Sequence, residues 1–146
     1  MKLKTSFFTG LLITAILGYM ILFPSCLNLD NEEDESTYFM IEVDSISLAD
    51  TILTTDSLSI SFYGTVGNNS CYSFYQFYPQ TLEDTIKIEV WGVLAPDEHC
   101  TDVIVTLEGE QLNVFNFDEG TYFVHVIQPD ASLLTDSLTV ISAVSR

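Results

Sequence analysis

The chain has 146 residues, of which 21 are acidic and 4 basic, for a formal charge of −17. That length holds one ordinary domain, and the charge excludes the clustered Lys and Arg that nucleic acid or an anionic membrane surface requires. At 47% hydrophobic and 17% charged residues, it is also too apolar for a disordered chain.

In chain order, the first element is a leader. Lys2 and Lys4 are two of the four bases, and no further charge occurs before Asp30. Phe7 to Phe23 is almost wholly apolar, and Pro24-Ser25-Cys26 interrupts it. A basic start, an apolar run and a small residue before a cut describe an export signal over residues 1–25. The run also reaches the short limit of a membrane-spanning helix, so an uncleaved single-pass anchor is the alternative. In both cases the two lysines stay inside and the acidic domain lies outside the cytoplasm.

Leu22-Phe23-Pro24-Ser25-Cys26 resembles a bacterial lipobox, in which the Cys is acylated and becomes the mature N-terminus. Behind it, Asp30-Asn31-Glu32-Glu33-Asp34-Glu35 resembles the surface-export signal of Bacteroidetes-type lipoproteins. The resemblance implies lipidation at Cys26, membrane contact through that lipid, and residence at the outer membrane or cell surface. Residues 26–36 are then an acidic tether; read without the resemblance, they are a solvated spacer.

Over 37–146 the pattern is alternation. Phe39, Ile41 and Val43 share one face, as do Leu58, Ile60 and Phe62, then Ile86, Ile88 and Val90, then Val103, Val105 and Leu107. Leu112 and Val114, then Tyr122, Val124 and Val126, then Leu138 and Val140 continue the series. Gly67-Asn68-Asn69, Ala95-Pro96-Asp97, Asp118-Glu119-Gly120 and Pro129-Asp130 separate the runs with turn-forming residues. No stretch keeps the period of a surface helix. The expected fold is all-β, a single antiparallel sandwich of about seven or eight short strands. The matching octets at Leu53 to Ile60 and Leu133 to Val140 read as two strand starts of one kind, not a duplicated domain.

Asp118-Glu119-Gly120-Thr121-Tyr122 resembles the tyrosine corner of immunoglobulin-like and fibronectin-like domains. It implies that the Tyr122 hydroxyl bonds back to nearby backbone and that Gly120 takes a positive φ or a tight turn. Val124 stands where antibody domains carry their second Cys, and Trp91 is not at their core Trp position. The resemblance therefore implies a fold and no function.

With Cys26 assigned to lipid, Cys71 and Cys100 remain. In an exported domain such a pair reads as a disulfide, closing a loop of about 30 residues for about 3 kcal/mol. The rival is a metal site from Asp97, Glu98, His99, Cys100 and His125. Zinc spacings such as C-x-x-C are missing, and neighbours on a strand point to opposite faces. No metal and no cofactor is expected.

Catalytic motifs are also missing: there is no phosphate loop, no G-x-S-x-G elbow, and only Lys87 as a base inside the domain. A two-carboxylate hydrolase needs a cleft that short linkers do not build. Two other features stand out. Cys71 to Tyr78 carries five aromatics in eight residues. By strict alternation Tyr72, Phe74 and Tyr78 share one face, and Tyr75 and Phe77 the other. If Tyr72, Phe74 and Tyr78 are exposed, they form a strip for a sugar ring or a protein partner; otherwise the tyrosines only cover the outer sheet face. The second feature is Asp-Ser/Thr-aliphatic, at Asp44-Ser45-Ile46, Asp50-Thr51-Ile52, Asp56-Ser57-Leu58, Asp84-Thr85-Ile86 and Asp136-Ser137-Leu138. These triplets resemble the O-glycosylation acceptor motif of Bacteroidetes exported proteins, implying Ser45, Thr51, Ser57, Thr85 and Ser137 as acceptors. A turn-forming Asp before a strand start yields the same letters.

The sequence thus points to an envelope-anchored lipoprotein whose sandwich is a non-catalytic binding or accessory module for an envelope protein or glycan. The alternatives are a protease inhibitor presenting the turns at 67–70 and 95–99, and a structural subunit of a surface fibre.

Overall fold

A computed structural model describes residues 36–96 and 99–143, so the expected signal, Cys26 and the acidic run lie outside the described residues. Nine strands make up the fold, and no helix occurs among the described residues. They are β1 (Thr37–Met40), β2 (Ser45–Ser47), β3 (Thr51–Leu53), β4 (Leu58–Gly67), β5 (Tyr72–Leu82), β6 (Thr85–Leu94), β7 (Val105–Val114), β8 (Gly120–Ile127) and β9 (Leu133–Ile141).

Alternation sets which face each strand buries. β4 buries Leu58, Ile60 and Phe62, β6 buries Ile86, Ile88 and Val90, β8 buries Val124 and Val126, and β9 buries Leu138 and Val140. One row per strand enters the core because successive side chains of a pleated strand point to opposite faces. The rows come from a six-stranded sheet and a three-stranded sheet of order β2-β4-β7, and they meet in one core cluster. The domain is a β-sandwich.

The register shows how the larger sheet is built. β5 pairs with β6 along its whole length, occupying one edge. A strand has only two edges, so β1, on Trp91–Leu94, and β8, on Thr85–Ile88, share the other in line. β9 follows β8, and β3 closes the sheet.

The antiparallel expectation is corrected at two places, because β6 with β8 and β3 with β9 run parallel. Nine strands also replace the expected seven or eight. β2 and β3, three residues each, were too short to show an alternating run, and Leu107 and Leu112 lie on one strand rather than two. That strand changes parity at Gly109: Phe62 faces Glu110 and Tyr63 faces Glu108, leaving Gly109 as the additional residue of a bulge. Its φ of +87° is left-handed, which glycine adopts without strain.

Between β1 and β2 the chain crosses from one sheet to the other. Ile41 N donates to Val90 O at 2.8 Å on the larger sheet, and Asp44 N donates to Tyr63 O at 2.9 Å on the smaller. The crossing lies so close over β4 that a Cβ on Gly64 would sit 2.7 Å from Glu42 O. A side chain there would push the crossing segment off the sheet.

The corner expected at residues 118–122 is present. Asp118 N donates to the Tyr122 hydroxyl at 3.2 Å, and the Tyr122 ring meets buried Phe117 edge-on at 5.0 Å between centroids. Gly120 has the positive φ expected there, but at +159° it lies at the extended limit of that range rather than in a left-handed turn.

Candidate functional site

The aromatic segment of β5 carries a bulge. Phe74 pairs with Gly92 and Gln76 with Trp91, so Tyr75 is an additional residue on β5. One additional residue exchanges the faces of everything after it. Tyr72 and Phe74 before the bulge, and Phe77 after it, therefore pack on the core. Phe77 stacks 4.6 Å from Phe62 and 4.7 Å from Phe74. Tyr75 and Tyr78 face outward, 44% and 43% exposed.

This corrects the expected strip. Tyr72, Phe74 and Tyr78 do not share a face; the first two belong to the core side, and only Tyr78 stands outside. Strict alternation failed because it assumed an unbroken strand.

Three neighbouring positions complete an outer cluster. Ile88 and Val90 point inward on β6, so Glu89 and Trp91 point outward. Phe39 packs on the core from β1, which turns Tyr38 outward, 50% exposed. Tyr38, Tyr75, Tyr78, Glu89 and Trp91 line a cavity of about 250 Å³. Tyr38 and Tyr75 lie 4.8 Å apart at 60°, and Tyr78 and Trp91 lie 6.2 Å apart at 80°. Trp91 Nε1 donates to Glu89 Oε2 at 2.9 Å, which fixes the indole and places a carboxylate in the wall. From the sequence Trp91 reads only as not being a core Trp, and Tyr38 and Glu89 carry no motif. The inward rows of β1 and β6 carried the signal for all three.

A second cavity, of about 490 Å³, opens where the crossing segment leaves β1 and includes Phe39, Glu42, Val66, Asn68 and Tyr72 in its lining. Its apolar walls are core residues seen from the end of the sandwich, with no carboxylate fixed by a ring as in the outer cleft. The outer cleft is the candidate site.

Cys71 and Cys100 form a disulfide, with Cα atoms 5.4 Å apart. Cys71 directly precedes β5, and Cys100 lies in the loop between β6 and β7. The loop is fastened further by Ser70 N to Thr101 O at 3.0 Å and Thr101 N to Ser70 Oγ at 2.9 Å. Asp97 and Glu98 of the alternative metal set lie outside the described residues. Among the described residues no group of three or more His, Cys, Asp or Glu is placed to hold a metal ion.

The five triplets share one geometry. Ile52, Leu58, Ile86 and Leu138 are buried and Ile46 is partly buried. Ser45, Thr51, Ser57 and Ser137 are exposed, and Thr85 is partly exposed. A hydroxyl facing out beside an aliphatic facing in is what strand alternation imposes.

Comparison with known families places the fold. The ORF11 beta-sandwich domain model matches residues 60–134, so the chain belongs to that family. The match spans Tyr75, Tyr78, Glu89 and Trp91 of the cleft. Neither a curated protein nor a solved structure matches the chain.

Proposed function

We propose that this ORF11 beta-sandwich domain is a non-catalytic binding module of the cell envelope, held there by lipid on Cys26 and contacting its partner through the outer aromatic cleft. The observation that carries the reading is the bulge at Tyr75. It brings Tyr78 to the same outer face as Tyr75, beside Trp91 and Tyr38, although the two tyrosines on an unbroken strand would be divided between core and surface. Exposed aromatics around a small concavity are what recognition sites use, because each ring supplies large contact area at little conformational cost.

The strand edges favour this over a fibre subunit. Among the described residues β7 pairs only with β4 and β5 only with β6. β7 carries Glu108, Glu110 and a bulge, and β5 carries Pro79, all of which discourage edge-to-edge pairing. The loop after β6, which an inhibitor would project, is fastened down by the disulfide.

The test is retention of envelope material on immobilised full-length protein, compared with the Tyr75→Ala/Tyr78→Ala variant. Material held by the native protein and lost from a folded variant supports the module. Equal retention by both refutes the cleft as its site.

A further inference from the structure

Resting on the reading of the cleft as a binding site, we infer that its ligand is a methylated ammonium group, such as a choline-like or trimethylated amine. Three observations on the cleft carry this.

The first is shape. Rings that stack on sugars lie side by side as a platform, but here the paired rings stand at 60° and 80° to one another. They form walls. A cavity of about 250 Å³ between four such rings suits one compact group and not an extended chain.

The second is electrostatics at short range. The faces of Tyr and Trp rings carry negative quadrupoles that attract a cation within about 6 Å, most strongly for Trp. Glu89, hydrogen-bonded by the Trp91 indole, adds a full negative charge to the same wall. A methylated ammonium sheds water more easily than a metal ion, and its methyl groups meet the rings directly.

The third is the field around the site. Lys87 is the only Lys or Arg among the described residues, in a chain of charge −17. Such a domain raises the local concentration of cations and repels anions. A ligand that pairs its ammonium with a phosphate is therefore disfavoured against a free cation. Lys87 lies two residues from Glu89 on the same face of β6 and opposes the ligand.

Trp91 is the single Trp of the chain, so its fluorescence reports on this cleft alone. Full-length protein in a neutral polyoxyethylene detergent is titrated at constant ionic strength with tetramethylammonium, choline, sodium, neopentyl alcohol, glucose and glycerophosphocholine. The expected result is a saturable change with tetramethylammonium and choline and none with sodium, the neutral alcohol or glucose. Glu89→Gln and Tyr78→Ala should each weaken binding by about fivefold or more, and Lys87→Gln should strengthen it by about twofold. Glycerophosphocholine binding as tightly as choline would uphold the cage and move its source to a lipid headgroup. A saturable response to glucose or neopentyl alcohol as strong as to tetramethylammonium would overturn the inference and leave the cleft a binding site. No saturable response to any cation up to roughly 100 mM would also overturn it, and retention of envelope material would then judge the module reading separately.

Discussion

Both main-chain polar groups of Val43 are held by one side chain, that of Gln128, 85 positions later. Val43 N donates to Gln128 Oε1 at 3.0 Å, and Gln128 Nε2 donates to Val43 O at 3.1 Å. The amide thus stands in for a neighbouring strand where the chain crosses between sheets and has none. Gln128 is the buried polar residue of the core, and among the described residues no buried side-chain polar atom lacks a hydrogen-bond partner.

Gln128→Leu keeps the volume but leaves the Val43 N–H and C=O buried without a partner. Each such group costs about 1–3 kcal/mol, so the variant should lose about 2–6 kcal/mol in urea unfolding. A loss below about 1 kcal/mol would mean that water replaces the amide and the crossing is not sealed.

The tyrosine corner gives a graded expectation. Tyr122→Phe removes one hydrogen bond at a solvent-accessible position and should cost about 0.5–1 kcal/mol. Tyr122→Ala also removes the ring packed on Phe117 and should cost about 2–3 kcal/mol. Equal losses in thermal unfolding would assign the whole effect to the hydroxyl.

Adjacent residues on β5 should behave in opposite ways. Phe77→Ala opens a hole beside Phe62 and Phe74 and should cost about 2–4 kcal/mol, whereas Tyr78→Ala should cost about 1 kcal/mol or less. Paired denaturation curves check this. The reverse order would place the bulge elsewhere and return Tyr78 to the core.

How much of this was legible in the sequence depends on parity. Ile86, Ile88 and Val90 fixed the inward face of β6, and so the outward positions of Glu89 and Trp91. Where the chain keeps its period, faces can be read from letters. At Tyr75 and Gly109 one additional residue resets the count, and only Gly109 advertises itself by residue type. The change from Leu107 to Leu112, five residues apart, already required a shift. The change from Phe74 to Phe77 was hidden, because aromatics fill both faces of that segment. The direction of pairing was also hidden, since alternation is the same in parallel and antiparallel strands. Cys71 and Cys100 were legible because, with Cys26 expected to carry lipid, two thiols leave a single pairing.

The turn before β9 carries a pH signature. Asp130 has its carboxyl held below the usual value by the Ser132 hydroxyl and then by the Ser132 N–H, which donates to Oδ1 at 2.9 Å. A folded-state value lowered in this way contributes stability above the unfolded value, and the contribution is lost as pH falls through the folded value. A carboxyl NMR titration should find Asp130 midway at a lower pH than an ordinary Asp, and Ser132→Ala should raise that midpoint. An unchanged midpoint in Ser132→Ala would remove Ser132 as the cause.

As a binding site, the outer aromatic cleft must meet a partner in the living cell. A photo-crosslinking residue placed at Tyr78, and in a parallel strain at exposed Gln111 on the smaller sheet, measures this directly. A discrete adduct is expected from position 78, absent from position 111 and suppressed by Trp91→Ala. Adducts of equal yield at both positions, or none at position 78, would contradict this role.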